Sequence, residues 1–475
     1  MSQSPSRALV MTATGLAAGL ALAASAHGQG ASTGIVAAPG SWTGASDVTP
    51  SGVPSDDPWV VAGPSSAVTY AWEGWDGQAW QIRSRMRGPN GGFTPVVNLS
   101  ARGANHEDPR IAIGADGRTA IAWKNMRTWN RTVQVRIKGA GSRTFGPVRT
   151  LSNPGGDATD NRIAIAPNGS TVVVWAQGQA GNRRIQARIM QKGAMRFGRT
   201  VNLSAGGTDA IDPSIAIAGD STITVAWERP TRDGRSFIIQ ARTRSAAGAW
   251  GPVQALSLPG AQSNDAVVIA SPAGEATAAW ERAVEATDEN SLRPSPGLIQ
   301  ARTRPAGSTT WGPIVNLSRR GTHASDPQLA VGPDGTVTAV WEWASDAQAQ
   351  RKMVQSRTRA AGGAWAPMQV LSARGQDVDD PEVVTARDGA TTTVFKRSYG
   401  TSVRVQARTR PAGSTAWGTP RWVSGARGEA DQPNTTVAPD GAVTVVWKLS
   451  SPIRVIRDQD FFLQTARTPV TVPAS

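Results

Sequence analysis

The hydrophobic pattern of this chain has no helical period. Short apolar runs recur in sets of four, each too short for a helix and bounded by Gly, Pro, Asn or Asp. The first run of a set is apolar throughout, as in Ile111-Ala112-Ile113 and Leu329-Ala330-Val331. A turn signal such as Asn168-Gly169 or Asp334-Gly335 follows it and predicts a hairpin. The second run is β-branched and closes on an aromatic residue. The third alternates strictly, as in Ile239-Gln240-Ala241-Arg242, so apolar side chains share one face and Gln and Arg share the other. The fourth begins with an aromatic residue at Trp250 or Trp311 and ends in Leu-Ser, as at Leu317-Ser318. The pattern predicts an all-β chain.

The sets are copies of one another. Asp57, Asp108, Asp160, Asp212, Asn264, Asp326, Asp380 and Asp431 open them, and Trp72, Trp123, Trp175, Trp227, Trp280, Trp341, Phe395 and Trp447 close the second run. Most openings lie 51 or 52 residues apart, with one gap of 62. Eight tandem units of four antiparallel strands predict a β-propeller, because each unit buries its faces only by stacking on its neighbours. The ends sharpen this. The last copy stops after its third strand, near Leu463, without a Trp-Gly-Pro strand. Trp42 precedes Asp57 by 15 residues, as Trp311 precedes Asp326, and Val48 falls where Leu317 lies. The N-terminal stretch is therefore expected to complete the last blade and remove the free edges. The expected organisation is one eight-bladed domain over 42–468, with a flexible 27–41 segment before it and a tail over 469–475. Seven blades plus an unpaired copy is the alternative.

Residues 1–26 read as a secretory signal peptide: Arg7, an apolar run from Leu9 to Ala23, then Ala24-Ser25-Ala26. The expected location is therefore extracytoplasmic or secreted. No further apolar run is long enough to span a bilayer as a helix. The chain has no cysteine, which excludes disulfides and thiolate metal sites. The net charge is +14, which raises polyanions as partners. The arginines recur through the repeats rather than forming one basic-aromatic patch, so nucleic acid is not expected. A monomer is expected.

The Asp-Pro, Asp-Gly, Val-Trp, Gln-Ala-Arg and Trp-Gly-Pro-Val framework resembles secreted bacterial β-propeller repeats grouped with the sialidase-like superfamily. Lectin-type, kelch and WD-repeat propellers are looser analogues. The resemblance covers nearly all of 42–468 and implies fold rather than activity. The sialidase Asp-box is not matched, since Asp440-Gly441 and Trp447 are wrongly spaced for it.

What recurs reads as scaffold, because a catalytic group is needed once. This covers Asp108, Asp212, Asp326 and Asp380, and Arg136, Arg188, Arg242, Arg302, Arg357 and Arg408, with Arg467 as the counterpart in the last copy. What changes is the set of loops after the second strand. Trp75, Trp80, Trp129 and Trp343 fall outside the repeat pattern there, and Tyr399 is one of two tyrosines. These five are the ligand-binding candidates, since an aromatic ring can stack on a sugar face. The expected function is noncatalytic recognition of a glycan or cell-envelope component. The alternative is a glycan-processing enzyme of sialidase or lyase type, using Tyr399 with Glu429 or Asp431. No cofactor is expected; calcium is considered only at Asp377-Val378-Asp379-Asp380.

Overall fold

A computed structural model describes residues 41–468, apart from 51, 128–129, 284–296, 321–322, 345–350, 374–376, 400–401, 427 and 451–460. It contains eight four-stranded antiparallel sheets. In seven of them the strands follow in chain order, as in Ser55–Ala62, Val68–Trp75, Trp80–Arg87 and Val97–Asn98 of blade 1. The first strand of each blade touches the first strands of both neighbours, and that of blade 8 touches that of blade 1. The blades therefore form a closed ring around an axis lined by the first strands.

Closure uses the two ends of the chain. Ser46–Asp47 pairs with Phe461–Arg467, the third strand of blade 8. In the other seven blades the Ser that ends the fourth strand, after Leu in six and after Val423 in blade 7, accepts the N–H of a third-strand residue, as Ser318 Oγ does from Ile299 at 2.9 Å. In blade 8 Thr49 Oγ1 takes that role, accepting from Leu463 N at 2.9 Å. The chain end thus reproduces the repeat's own bond across a separation of 414 residues.

The core lies between blades. Every buried apolar cluster joins two consecutive blades. Trp280 packs with Ile239 and Leu256 of the preceding blade, and Trp341 with Ile299 and Leu317. The closing aromatics Trp72 to Trp447 are at most 1% exposed, so each repeat's Trp is the key of one seam. The closing seam adds Tyr70, whose hydroxyl lies 3.2 Å from Thr465 Oγ1.

The recurring arginines staple the outer strands. Arg302 Nε donates to Gly312 O at 2.6 Å, and its terminal nitrogens reach Trp311 O and the carbonyls of Ala255 and Leu256 on the preceding blade. Arg136, Arg242, Arg357 and Arg408 repeat this arrangement, and Arg188 donates to Thr200 Oγ1. Arg85 NH1 reaches Val48 O across the closing seam. The planar fork of a guanidinium serves two strands at once, which a lysine cannot. Arg467 is not the counterpart in blade 8. Its register partner is Thr444, and Ala466 holds the staple position opposite Val445. Gln134 and Gln355, on the same alternating face, accept the indole N–H of Trp123 and Trp341.

The opening aspartates mark a bulge. Asp57, Asp108, Asp160, Asp212, Asp265, Asp326 and Asp380 have φ between 44° and 54°, and Gln432 stands in their place in blade 8 at 51°. The register of the first two strands slips at each of these points. Two alignment expectations are corrected by one residue, from Asn264 to Asp265 and from Asp431 to Gln432. The backbone conformation, not the side-chain class alone, defines the position. Asp and Asn tolerate positive φ better than other non-glycine residues. The Asp-Gly turns are also refined. At Gly332–Thr336 only Gly335 has positive φ (79°), which fits a type I turn followed by a left-handed glycine rather than a two-residue primed turn.

Candidate functional site

The bulges place one ring of side chains at one mouth of the axis. Below the aspartates, two residues on, the first strands carry Trp59, Arg110, Arg162, Ser214, Val267, Gln328, Glu382 and Asn434. This position varies in chemical class around the ring, though blades 2 and 3 both carry Arg. Beside the aspartates, the residue after each closing aromatic is Glu73, Lys124, Ala176, Glu228, Glu281, Glu342, Lys396 or Lys448. The two sets meet at the seams: Glu73, Glu228 and Glu342 accept the backbone N–H of Asp108, Asp265 and Asp380 in the next blade at 2.6–3.0 Å. Beyond the throat an axial cavity of about 370 Å³ is lined mainly by Val, Ile, Ala and Pro, with Trp59 and Asn434 on its wall.

The seam between blades 1 and 2 gathers most chemistry. The carboxyl oxygens of Asp57, Glu73 and Asp108 lie within 4.8 Å of one another. Arg110 NH1 is 3.3 Å from Asp57 Oδ2, and its guanidinium lies 4.3 Å from the centre of the Trp59 ring. Lys124 Nζ is 2.5 Å from Asp108 Oδ2. These surroundings push the three carboxyls apart. Burial, with the neighbouring Asp57 charge, holds Glu73 well above the usual carboxylate range. Burial raises Asp57 to about 6 against the opposing pull of Arg110. Burial also works on Asp108, but Lys124 and Arg110 outweigh it and bring Asp108 below its ordinary value. The cluster thus sets a carboxyl whose proton is held by burial and like charge beside one whose charge is favoured by Lys124 and Arg110. Geometrically the three oxygens could also hold a metal ion, but Arg110 and Lys124 already neutralise two of the groups.

The opposite arc, on blades 4 to 6, is acidic with little relief. Burial raises Asp212 to about 7, with Asp160 adding to the rise, and raises Glu281 to about 8. Glu228 and Asp326 are raised well above the ordinary range by burial and neighbouring carboxyls. Among the described residues Asp212, Asp265, Glu281 and Asp326 make no ion pair, whereas Lys352 reaches Glu342 at 2.7 Å and Lys396 reaches Asp380 at 3.1 Å.

The aromatic candidates divide. Trp75 and Trp80 face each other across the hairpin tip of blade 1, ring centres 5.6 Å apart and edge to face, and both are half-buried. Trp75 lies two residues beyond Glu73 in the same strand, so the pair flanks the carboxyl cluster. Trp343 is not in a loop: it lies within the strand Val337–Ala344, opposite Ala324 and Met353, and packs on the seam core. Trp129 and the 284–296 segment lie outside the described residues. Tyr399 ends a strand opposite Ser402, and its side chain is outside the description. Glu429 is exposed, and Asp431 accepts from Lys396 Nζ at 3.0 Å.

The throat and post-tryptophan residues were missed in the sequence reading. Their signal was present, as positions that vary in class inside strands that otherwise repeat.

No protein-family model matches the chain, and no curated protein matches it. Among solved structures it is similar to the polysaccharide lyase Uly1, at 8% identity over 74% of this chain and 88% of that one, with a TM-score of 0.48. It is similar to an α-L-arabinanase of Penicillium chrysogenum at 13% identity, over 76% and 92%, with a TM-score of 0.42. It is also similar to a protein of unknown function from Dyadobacter fermentans, at 13% identity over 68% and 97%, with a TM-score of 0.41.

Proposed function

We propose that the protein processes a neutral glycan at the aspartate-lined mouth, by acid and nucleophile chemistry at the seam between blades 1 and 2. The observation that supports this is the set of Asp57, Glu73 and Asp108, with oxygens within 4.8 Å and ionisation pushed in opposite directions. Carboxyl pairs split in this way assign an acid and a base by their surroundings. Glu73 is the acid that protonates the leaving oxygen. Asp108, kept ionised by Lys124, is the nucleophile, and the short separation suits double displacement, which uses groups about 5 Å apart. The half-buried Trp75 and Trp80 offer a stacking surface beside it. A polyanionic substrate is disfavoured, because the recurring arginines are held by backbone carbonyls at the rim and the mouth itself is rich in carboxyls.

Screening neutral oligosaccharides for new reducing ends tests the proposal. Glu73→Gln and Asp108→Asn should each lower turnover by about 10²–10⁴-fold. Turnover that survives both changes removes the assignment. Noncatalytic glycan recognition is the second reading, favoured by the recurrence of the same aspartate in seven blades. It predicts saturable binding at this mouth with no bond cleavage in the unmodified protein.

A further inference from the structure

The axial cavity has two unlike ends. Toward the mouth its wall ends at Trp59 and Asn434, both 5% exposed, so it narrows at the throat. Toward the opposite face, where the first hairpins turn, it opens. Val61, Ile217, Val331 and Val437 line it at the turn ends of their strands and are only half-buried. From Trp59 to Pro64 the wall spans about five residues of strand, or roughly 16 Å. Apolar side chains left wet along a concave wall favour an apolar occupant of matching shape. The rim adds a charge. Pro64, Pro167, Pro272, Pro333 and Pro439 line it on five blades, and blade 7 carries Arg387 at the same position, between Pro333 and Pro439 of its neighbours. Arg387 is exposed, and among the described residues it is the sole charged side chain in the wall and makes no ion pair. The nearby turn aspartates are folded back on their own loops. Oδ1 of Asp334, Asp388 and Asp440 accepts the N–H of Thr336, Ala390 and Ala442 at 2.8–3.0 Å, and Asp440 also pairs with Arg467. A narrow apolar tube thus has a guanidinium at its open end.

We propose that this cavity binds a linear fatty acid, with its chain along the axis and its carboxylate on Arg387. The length of the tube suits an extended chain rather than a ring system. The charge in its wall suits a carboxylate rather than an ammonium, and the planar fork of a guanidinium matches the two carboxylate oxygens. The site opens on the face opposite the aspartate-lined mouth and does not depend on the function assigned there.

The test is calorimetric titration of the full chain near pH 8 with hexanoate, octanoate and decanoate, each below its micelle concentration, and with decanol and decylamine. One saturable site is expected, with affinity rising about three- to fourfold for each added methylene. Arg387→Ala should weaken decanoate by about three- to fivefold, the range of an exposed ion pair, and leave decanol unchanged. Arg387→Lys should restore part of the loss. Ile217→Trp, which fills the tube, should abolish binding of decanoate and decanol alike, and Val331→Trp carries the same expectation if that variant fails to fold. Glu73→Gln should change nothing. Absence of saturable binding at millimolar decanoate overturns the proposal, as does affinity independent of chain length. Decylamine binding more tightly than decanoate, or decanoate binding unmoved by Arg387→Ala, overturns the carboxylate and its partner.

Discussion

The repeated aspartate carries two separable properties, a backbone conformation and a charge. Positive φ disfavours alanine by roughly 1–2 kcal/mol relative to residues that tolerate it. Asp265→Asn keeps the tolerance and removes a carboxylate raised by burial, whereas Asp265→Ala removes both. Denaturant midpoints near pH 8 should therefore rank Asn above Ala by about 1 kcal/mol. Equal midpoints would show that the bulge does not select the residue. At the proposed active seam, Asp57 is a cause of the raised Glu73 ionisation, second to burial. Asp57→Asn should lower the Glu73 value and move the alkaline limb of any pH–rate profile toward lower pH. An unmoved limb would take Glu73 out of the acid's role.

At the scale of strands, the staples and the aromatic keys divide the work. Arg302 holds four carbonyls on two blades, and hydrogen bonds to a charged group each contribute about 1.5–3 kcal/mol when intact. Arg302→Lys should lower the melting temperature without altering any ligand affinity, because the fork is lost far from the mouth. A loss of binding at unchanged stability would mean that the rim arginines face ligand after all. Truncation at Trp280, fully buried in the seam between blades 4 and 5, should cost about 3–5 kcal/mol. The hairpin units, the alternation of the third strand and the Leu-Ser ending were legible in the sequence, because each is a local pattern with a local cause. The bulge was misplaced by one residue in two blades, since Asn264 and Asp431 resemble the repeat chemically while φ belongs to Asp265 and Gln432.

The whole ring concentrates carboxyls where the blades converge, and this sets a pH dependence. Asp57, Asp212 and Glu281 have folded-state values raised to about 6, 7 and 8, above their unfolded values. The folded protein then binds more protons than the unfolded chain between about pH 4 and 8, so stability falls as pH rises through that window. The melting temperature should be higher at pH 5 than at pH 8, and Glu281→Gln should flatten the difference. A melting temperature that rises toward pH 8 would show that the acidic arc is neutralised by other means.

The sequence by itself determined the all-β class, the eight units and the closure by the N-terminal strand. These follow from period, turn chemistry and an incomplete last copy, all of which act between residues near in sequence or repeat the same local rule. The +14 charge did not locate the mouth, and of the tryptophans outside the repeat pattern Trp75 and Trp80 lie beside its carboxyl cluster while Trp343 does not. Only the tertiary structure decided that most of the recurring arginines bind carbonyls, that Trp343 packs in a seam, and that Asp57, Glu73 and Asp108 gather at one seam of the mouth. The physical reason is convergence. A ring brings one position from each of eight strands within electrostatic reach, and the resulting desolvation and repulsion belong to the assembled mouth, not to any single repeat.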